Sequence, residues 1–191
     1  MTSRRVIVAS MAIATLFGHA GVSWPQEKAG SWLDDAKPVS WNKPGAAIPV
    51  ASKIQGDTDP RCRAEARPPQ LDEDKRVREQ GWDLVGAYQG GWDTLVIRGT
   101  AGYDGMCRPR QYHDFVFVRG VFAGTLSPRP MDSRTDGALE RVFFQTGPRL
   151  TAEYTRYAAK DALCCPSRTT RVVFDVTSNG VVPVSASTSQ R

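Results

Sequence analysis

Phe115-Val116-Phe117-Val118-Arg119-Gly120-Val121-Phe122-Ala123-Gly124-Thr125-Leu126 is the stretch that decides the architecture. Phe115 to Val118 has no polar face, so a strand built from it lies at the centre of a sheet and needs cover on both sides. Arg119-Gly120 is a two-residue turn signal that returns Val121 to Leu126 antiparallel to it. Upstream, Trp82 to Gln89 and Trp92 to Arg98 flank Gly90-Gly91, which reads as a second hairpin turn. Downstream, Arg141 to Thr146 and Leu150 to Tyr157 flank Gly147-Pro148. In the latter strand Leu150, Ala152 and Tyr154 alternate with Thr151, Glu153 and Thr155, the period-2 pattern of a half-buried strand. Thr170 to Thr177 and Val181 to Val184 close the set around Ser178-Asn179-Gly180. Before all of these, Asp72-Glu73-Asp74-Lys75-Arg76-Val77-Arg78 has acids leading and bases trailing ahead of Gly81, as a short helix prefers. The expected fold is α+β: a mainly antiparallel β-sheet of seven to eight strands with one short N-terminal helix, stapled by disulfides.

A chain of 191 residues holds one domain once flanking segments are set aside. Arg4-Arg5, an apolar run from Val6 to Phe17 and small residues ending at Ala20 have the layout of a cleavable signal peptide over residues 1–20. The run is too short to span a bilayer. Ser3-Arg4-Arg5-Val6-Ile7-Val8 also resembles a twin-arginine signal, so the export route stays open. Residues 21–70 hold seven of the thirteen prolines and read as an extended Pro-rich segment, with Trp24, Trp32 and Trp41 packing over an open sheet face or left in a linker. The antiparallel domain occupies 71–184, and 185–191 is a polar tail expected to be mobile. Removal of residues 1–20 takes the net charge from +5 to +3, with the arginines mixed among acids. That pattern lacks the continuous basic stripe that nucleic-acid binding needs.

An even count of four cysteines, Cys62, Cys107, Cys164 and Cys165, in an exported chain reads as two disulfides. Adjacent cysteines rarely pair with each other, so the expectation is that Cys164 and Cys165 each reach a distant partner: Cys62 with Cys164 and Cys107 with Cys165, or the reverse. Catalysis is bounded by histidine. His19 leaves with the signal peptide, and only His113 remains in the mature chain. Two-histidine metal sites are thereby excluded, and a triad through Ser127 or Ser133 has to use that ring. Asp114 is its neighbour in a strand and points to the opposite face, so it is badly placed to orient it. No nucleotide loop is present, and no metal or cofactor is implied.

Asp104-Gly105-Met106-Cys107-Arg108-Pro109, Phe115-Val116-Phe117-Val118, Phe122-Ala123-Gly124-Thr125-Leu126-Ser127-Pro128, Met131-Asp132-Ser133-Arg134-Thr135-Asp136-Gly137 and Cys164-Cys165-Pro166-Ser167 together resemble the LppP/LprE lipoprotein-type domain of bacterial exported proteins, over about residues 80–180. The resemblance implies a secreted or envelope-associated domain with no established enzymatic activity and no catalytic residues to carry over. This chain departs from the name-giving members in lacking a lipobox cysteine.

Two loops concentrate chemistry, Asp104 to Pro109 and Pro130 to Gly137. Arg108 and Arg134 suit an anionic group, with Ser133 and Asp136 beside them, and these four form the candidate ligand site. The same residues serve as turn formers, backbone caps and local ion pairs. Three functions follow in order: a periplasmic or secreted, non-enzymatic domain binding an envelope component or protein partner; a hydrolase of envelope polymers through paired carboxylates, Asp104 and Asp136 first; and a purely structural envelope protein. A concave pocket between the two loops favours the first two, a flat surface the third.

Overall fold

The computed structural model describes residues 31–34, 39–52, 54 and 60–191. They form two helices, α1 (Pro60–Arg63) and α2 (Asp72–Glu79), and nine strands: β1 (Asp83–Leu84), β2 (Gln89–Gly91), β3 (Thr94–Tyr103), β4 (Pro109–Val118), β5 (Val121–Thr125), β6 (Ala138–Phe144), β7 (Arg149–Arg156), β8 (Arg168–Thr177) and β9 (Gly180–Gln190). All pairings are antiparallel. One sheet runs β1-β3-β4-β5, with β2 also pairing to β3, and the other runs β6-β7-β8-β9. The mainly antiparallel fold with a short helix before the sheet is as the sequence reads. The expected signal peptide and Trp24 lie outside the described residues.

The apolar run in β4 is central for the reason its composition requires. Tyr112, Val116 and Val118 face the other sheet and join Val96, Leu150, Tyr154 and Phe174 in one core. Phe115 and Phe117 face outward, where Val77 of α2, Trp82 and Ile48 cover them in a second core. The N-terminal turn of α2 is tied down by Asp74, whose carboxylate accepts the N–H groups of Gln70 and Leu71 and meets Arg67 through two contacts of 2.7 and 2.6 Å.

The two sheets close on each other along both edges. At one seam β5 lies beside β9. Asn42 donates to the carbonyls of Thr125 (3.1 Å) and Val181 (2.8 Å) and accepts from the Thr125 N–H (2.9 Å). Gly124 permits this, because a Cβ there would sit 2.3 Å from the Asn42 side chain. At the other seam β2 lies beside β6, and Gln89 accepts the Val142 N–H at 2.7 Å.

Five expectations need correction. The turn before β3 is Trp92-Asp93, not Gly90-Gly91, since Gly91 pairs with Thr94 inside the ladder. Glycine is needed at 91 for the seam: a Cβ would lie 2.4 Å from the Phe144 ring. The single strand expected over Trp82 to Gln89 is split between β1 and β2. The tail at 185–191 is not loose; β9 pairs with β8 as far as Gln190 opposite Arg168. Its polar side chains conceal this, because residues 185–190 are exposed on both faces of the strand and the pairing is made by backbone. Trp32 and Trp41 of the Pro-rich segment do not lie over an open sheet face. Trp32 enters the core between the sheets, edge-on to Trp41 (5.2 Å) and Tyr154 (6.2 Å).

The fifth correction is the disulfide pairing. Cys62 bonds Cys107, and Cys164 bonds Cys165. The turn closed by the Cys107 N–H on Asp104 O places Cys107 against α1, where Cys62 is buried. With both distant partners taken by each other, the adjacent cysteines are left to pair together.

Candidate functional site

The β-hairpin turns divide the molecule into two ends. At one end, β3 finishes, β4 begins and β7 runs out into Tyr157, so this end carries the loops that the sequence singles out. The structure does bring them together, and Tyr157 is the meeting point. Arg134 stacks on its ring, with Cζ 3.9 Å from the centroid. Arg108 approaches from the other loop, its Cζ 5.9 Å from the same centroid and its Nη1 3.4 Å from the Tyr157 hydroxyl. That hydroxyl donates to Leu163 O at 2.8 Å, which also accepts from Arg108 at 3.2 Å, so the loop of Cys164-Cys165 joins the cluster. Asp161 closes the loop by accepting the N–H groups of Ala158 and Ser167 and the Ser167 hydroxyl.

Within this cluster the polar groups hold one another. Arg108 pairs with Asp104 at 2.6 Å. Burial pushes the Asp104 carboxyl up, but the N–H groups of Arg108 and Met106 and the Arg108 guanidinium outweigh it and hold it below the usual carboxylate range. An acid held ionised in this way is a poor proton donor to a glycosidic oxygen. Ser133 is buried, and its N–H donates to Pro109 O. Asp136 accepts the Asp132 N–H through its carboxylate (3.0 Å) and lies 3.8 Å from Arg129. Its carbonyl takes buried Arg156 and the Ser31 hydroxyl. The four candidate residues are neighbours, and their groups tie three loops and the N-terminal segment into one unit.

His113 sits on the outer face of β4 against Trp82 and Phe115. Its Nδ1 is 3.1 Å from the hydroxyl of Ser127, one of the two serines that the sequence reading sets against it. Both residues are buried, and burial alone pushes the imidazole down to about 4. Asp114 faces the opposite way, as the strand alternation requires, and pairs with Arg98 at 2.8 Å between the sheets. Among the described residues the histidine and serine therefore meet without an orienting acid, and both are buried.

The opposite end carries what the sequence reading missed. There the turns Trp92-Asp93, Arg119-Gly120, Gly147-Pro148 and Ser178-Asn179 rim a cleft of about 690 Å³ lined by Trp92, Asp93, Val118, Arg119, Pro148 and Val176 among others. Trp92 is 83% exposed and holds φ +55°. A left-handed backbone costs a residue with a side chain about 1–2 kcal/mol, and an exposed indole gains nothing from burial to offset it. Arg119 anchors this turn to the next one, its N–H donating to Asp93 O (2.8 Å) and its Nε to the Asp93 carboxylate (2.9 Å). Turn propensity points away from tryptophan, so Trp92 reads as the first residue of a strand. The one available signal is Asp93 after a pair of glycines.

Two antiparallel sheets, two disulfides and a polar cluster spent on its own loops define the class: a small disulfide-bonded β domain. Within it, residues 92–179 match the family model of the LppP/LprE lipoprotein. The match begins at Trp92 and takes in the turns around the cleft and the Tyr157 cluster. No curated protein and no solved structure matches the chain. The family and the disulfides together point to an exported envelope protein.

Proposed function

We propose that this chain is a periplasmic or secreted domain, delivered by a signal peptide at residues 1–20, that binds an envelope component or a protein partner without chemistry of its own. The hairpin-turn end is its contact surface. The observation that carries this reading is Trp92, an exposed aromatic held in an unfavourable backbone conformation at the rim of the apolar-walled cleft at that end. A residue that harms the fold on both counts is retained for what it touches. The family match and the disulfides support the location.

The test is co-sedimentation of the purified, oxidised chain with isolated cell envelopes. Trp92→Gly removes the indole and suits the positive φ, so it should keep the fold while lowering the bound fraction at least tenfold. Arg134→Ala, at the other end, should leave binding as it is. Loss of binding with Arg134→Ala and retention with Trp92→Gly would move the site to the Tyr157 cluster and reject the present assignment.

A further inference from the structure

We propose that the cleft beside Trp92 is a saccharide site, with a sugar ring stacked on the indole and its hydroxyls bonded by Asp93, Arg119, Thr177 and Ser178. This rests on the reading that the hairpin-turn end is the binding end, and it names the ligand class.

The composition of the rim selects that class. Thr177 and Ser178 are exposed and line the cleft together with Asp93 and Arg119. Hydroxyls both donate and accept, a carboxylate accepts and a guanidinium donates, so the rim matches a ligand that presents many hydroxyl groups. Asp93 and Arg119 are already paired at 2.9 Å and cancel in charge. A phosphate or carboxylate ligand would meet the Asp93 charge as soon as it reached Arg119, whereas an uncharged sugar meets both groups on equal terms. The wall is the flat, rigid face of one tryptophan, free of side-chain hydrogen bonds and ring contacts among the described residues. A sugar ring with axial C–H groups has an apolar face of matching size, and its polar edge would lie toward the rim.

The alternatives fit less well. Insertion into a lipid surface needs several apolar tips at one level. Here the neighbouring turns present Arg119, Gln145, Ser178 and Asn179, and the exposed apolar side chains nearest to them, Val121, Phe143 and Val182, lie on the strands and are less exposed than Trp92. A protein partner needs a cluster of buried anchors at the centre of a wider apolar patch. The cleft, at about 690 Å³, has the size of a small-ligand site instead. It is also preorganised. Arg119 holds two turns together by backbone and side chain, so little ordering remains for the ligand to impose.

The experiment is a calorimetric titration of the oxidised chain with chitohexaose, maltohexaose and a mannan oligosaccharide, beside vesicles of phosphatidylglycerol and phosphatidylcholine. At least one of the three sugars should bind saturably, and Trp92→Gly should weaken that binding at least tenfold while the thermal midpoint stays the same or rises. Arg119→Gln should weaken it about threefold to tenfold. Absence of binding to all three sugars, binding unchanged by Trp92→Gly, or binding to vesicles alone would overturn the saccharide assignment. The envelope sedimentation above separates the two failures. If Trp92→Gly still abolishes envelope binding, only the ligand class is wrong; if it does not, the contact surface itself is misplaced.

Discussion

His113 shows how a single buried residue sets a response to pH. Its ring is neutral in the folded chain, with burial pushing it down to about 4 from an ordinary 6.5. Between those values the unfolded chain binds a proton that the folded chain refuses, so stability rises with pH across the window. The contribution is complete above about pH 6.5 and is lost as pH falls toward 4, with a depth on the order of 3 kcal/mol. Replacing the ring by His113→Gln removes this titration and keeps a partner for Ser127. Urea denaturation of the two proteins from pH 7 to 4 should show the parent losing more stability than the variant; parallel curves would mean the ring is protonated in the fold. At the other singled-out position, Arg134 lies face-on to Tyr157 at 3.9 Å, which is worth about 0.5–1 kcal/mol where solvent has partial access. A double-mutant cycle of Arg134→Ala and Tyr157→Ala should return a coupling of that size, and a coupling of zero would reduce the contact to proximity. The alternation in β4 makes the separation of His113 from Asp114 legible in sequence. Tyr157 is not legible, because nothing local marks the end of β7 as the place where two distant loops converge.

At the scale of elements, the segments outside the obvious strands contribute most that is unexpected. The extended stretch around Asn42 acts as a strap across the β5–β9 seam, and three hydrogen bonds of one side chain do the joining. Asn42→Ala leaves the Thr125 N–H without its partner and takes one of two donors from each carbonyl, Thr125 O keeping Trp41 and Val181 O keeping Ser40, so a loss of about 1–3 kcal/mol is expected from chemical denaturation. A change below 0.5 kcal/mol would show that water replaces the amide and that the strap is not structural. The C-terminal strand teaches a similar point. Ser185 to Gln190 has no apolar alternation, yet it pairs with Arg168 to Val173 of β8 and keeps that half of β8 from being an exposed edge. Composition marks such a stretch as tail because hydrophobic pattern reports burial of side chains, and this strand is held by its backbone. The displaced turn at Trp92-Asp93 has a related cause. Gly90-Gly91 is the better turn dipeptide by itself, but close approach of β2 to Phe144 claims the second glycine for packing.

For the molecule as a whole, the two disulfides differ in what they do. Cys62–Cys107 joins residues 45 apart and fastens α1 to the loop before β4. On the chain-entropy model it contributes about 4 kcal/mol. Cys164–Cys165 joins neighbours, restrains almost none of the unfolded chain and adds almost nothing by that route. Replacing Cys62 and Cys107 by serine should therefore lower stability by about 2–5 kcal/mol, and replacing Cys164 and Cys165 should leave the denaturation midpoint nearly unchanged. Peptide mapping of the unreduced protein checks the pairing directly. A fragment linking either of the first two cysteines to the Cys164-Cys165 peptide would contradict it.

The sequence by itself determined the antiparallel class, the central place of Phe115 to Val118, the helix before the sheet and the likeness that the family match supports. These are set by local period, turn chemistry and short motifs, which need only neighbouring residues. The tertiary structure alone decided which cysteines pair, where the first hairpin turns, that Trp32 enters the core, that the tail is a strand, and that Trp92 stands exposed on a cleft. Each of those depends on which distant surface is within reach, and reach is a property of the packed chain.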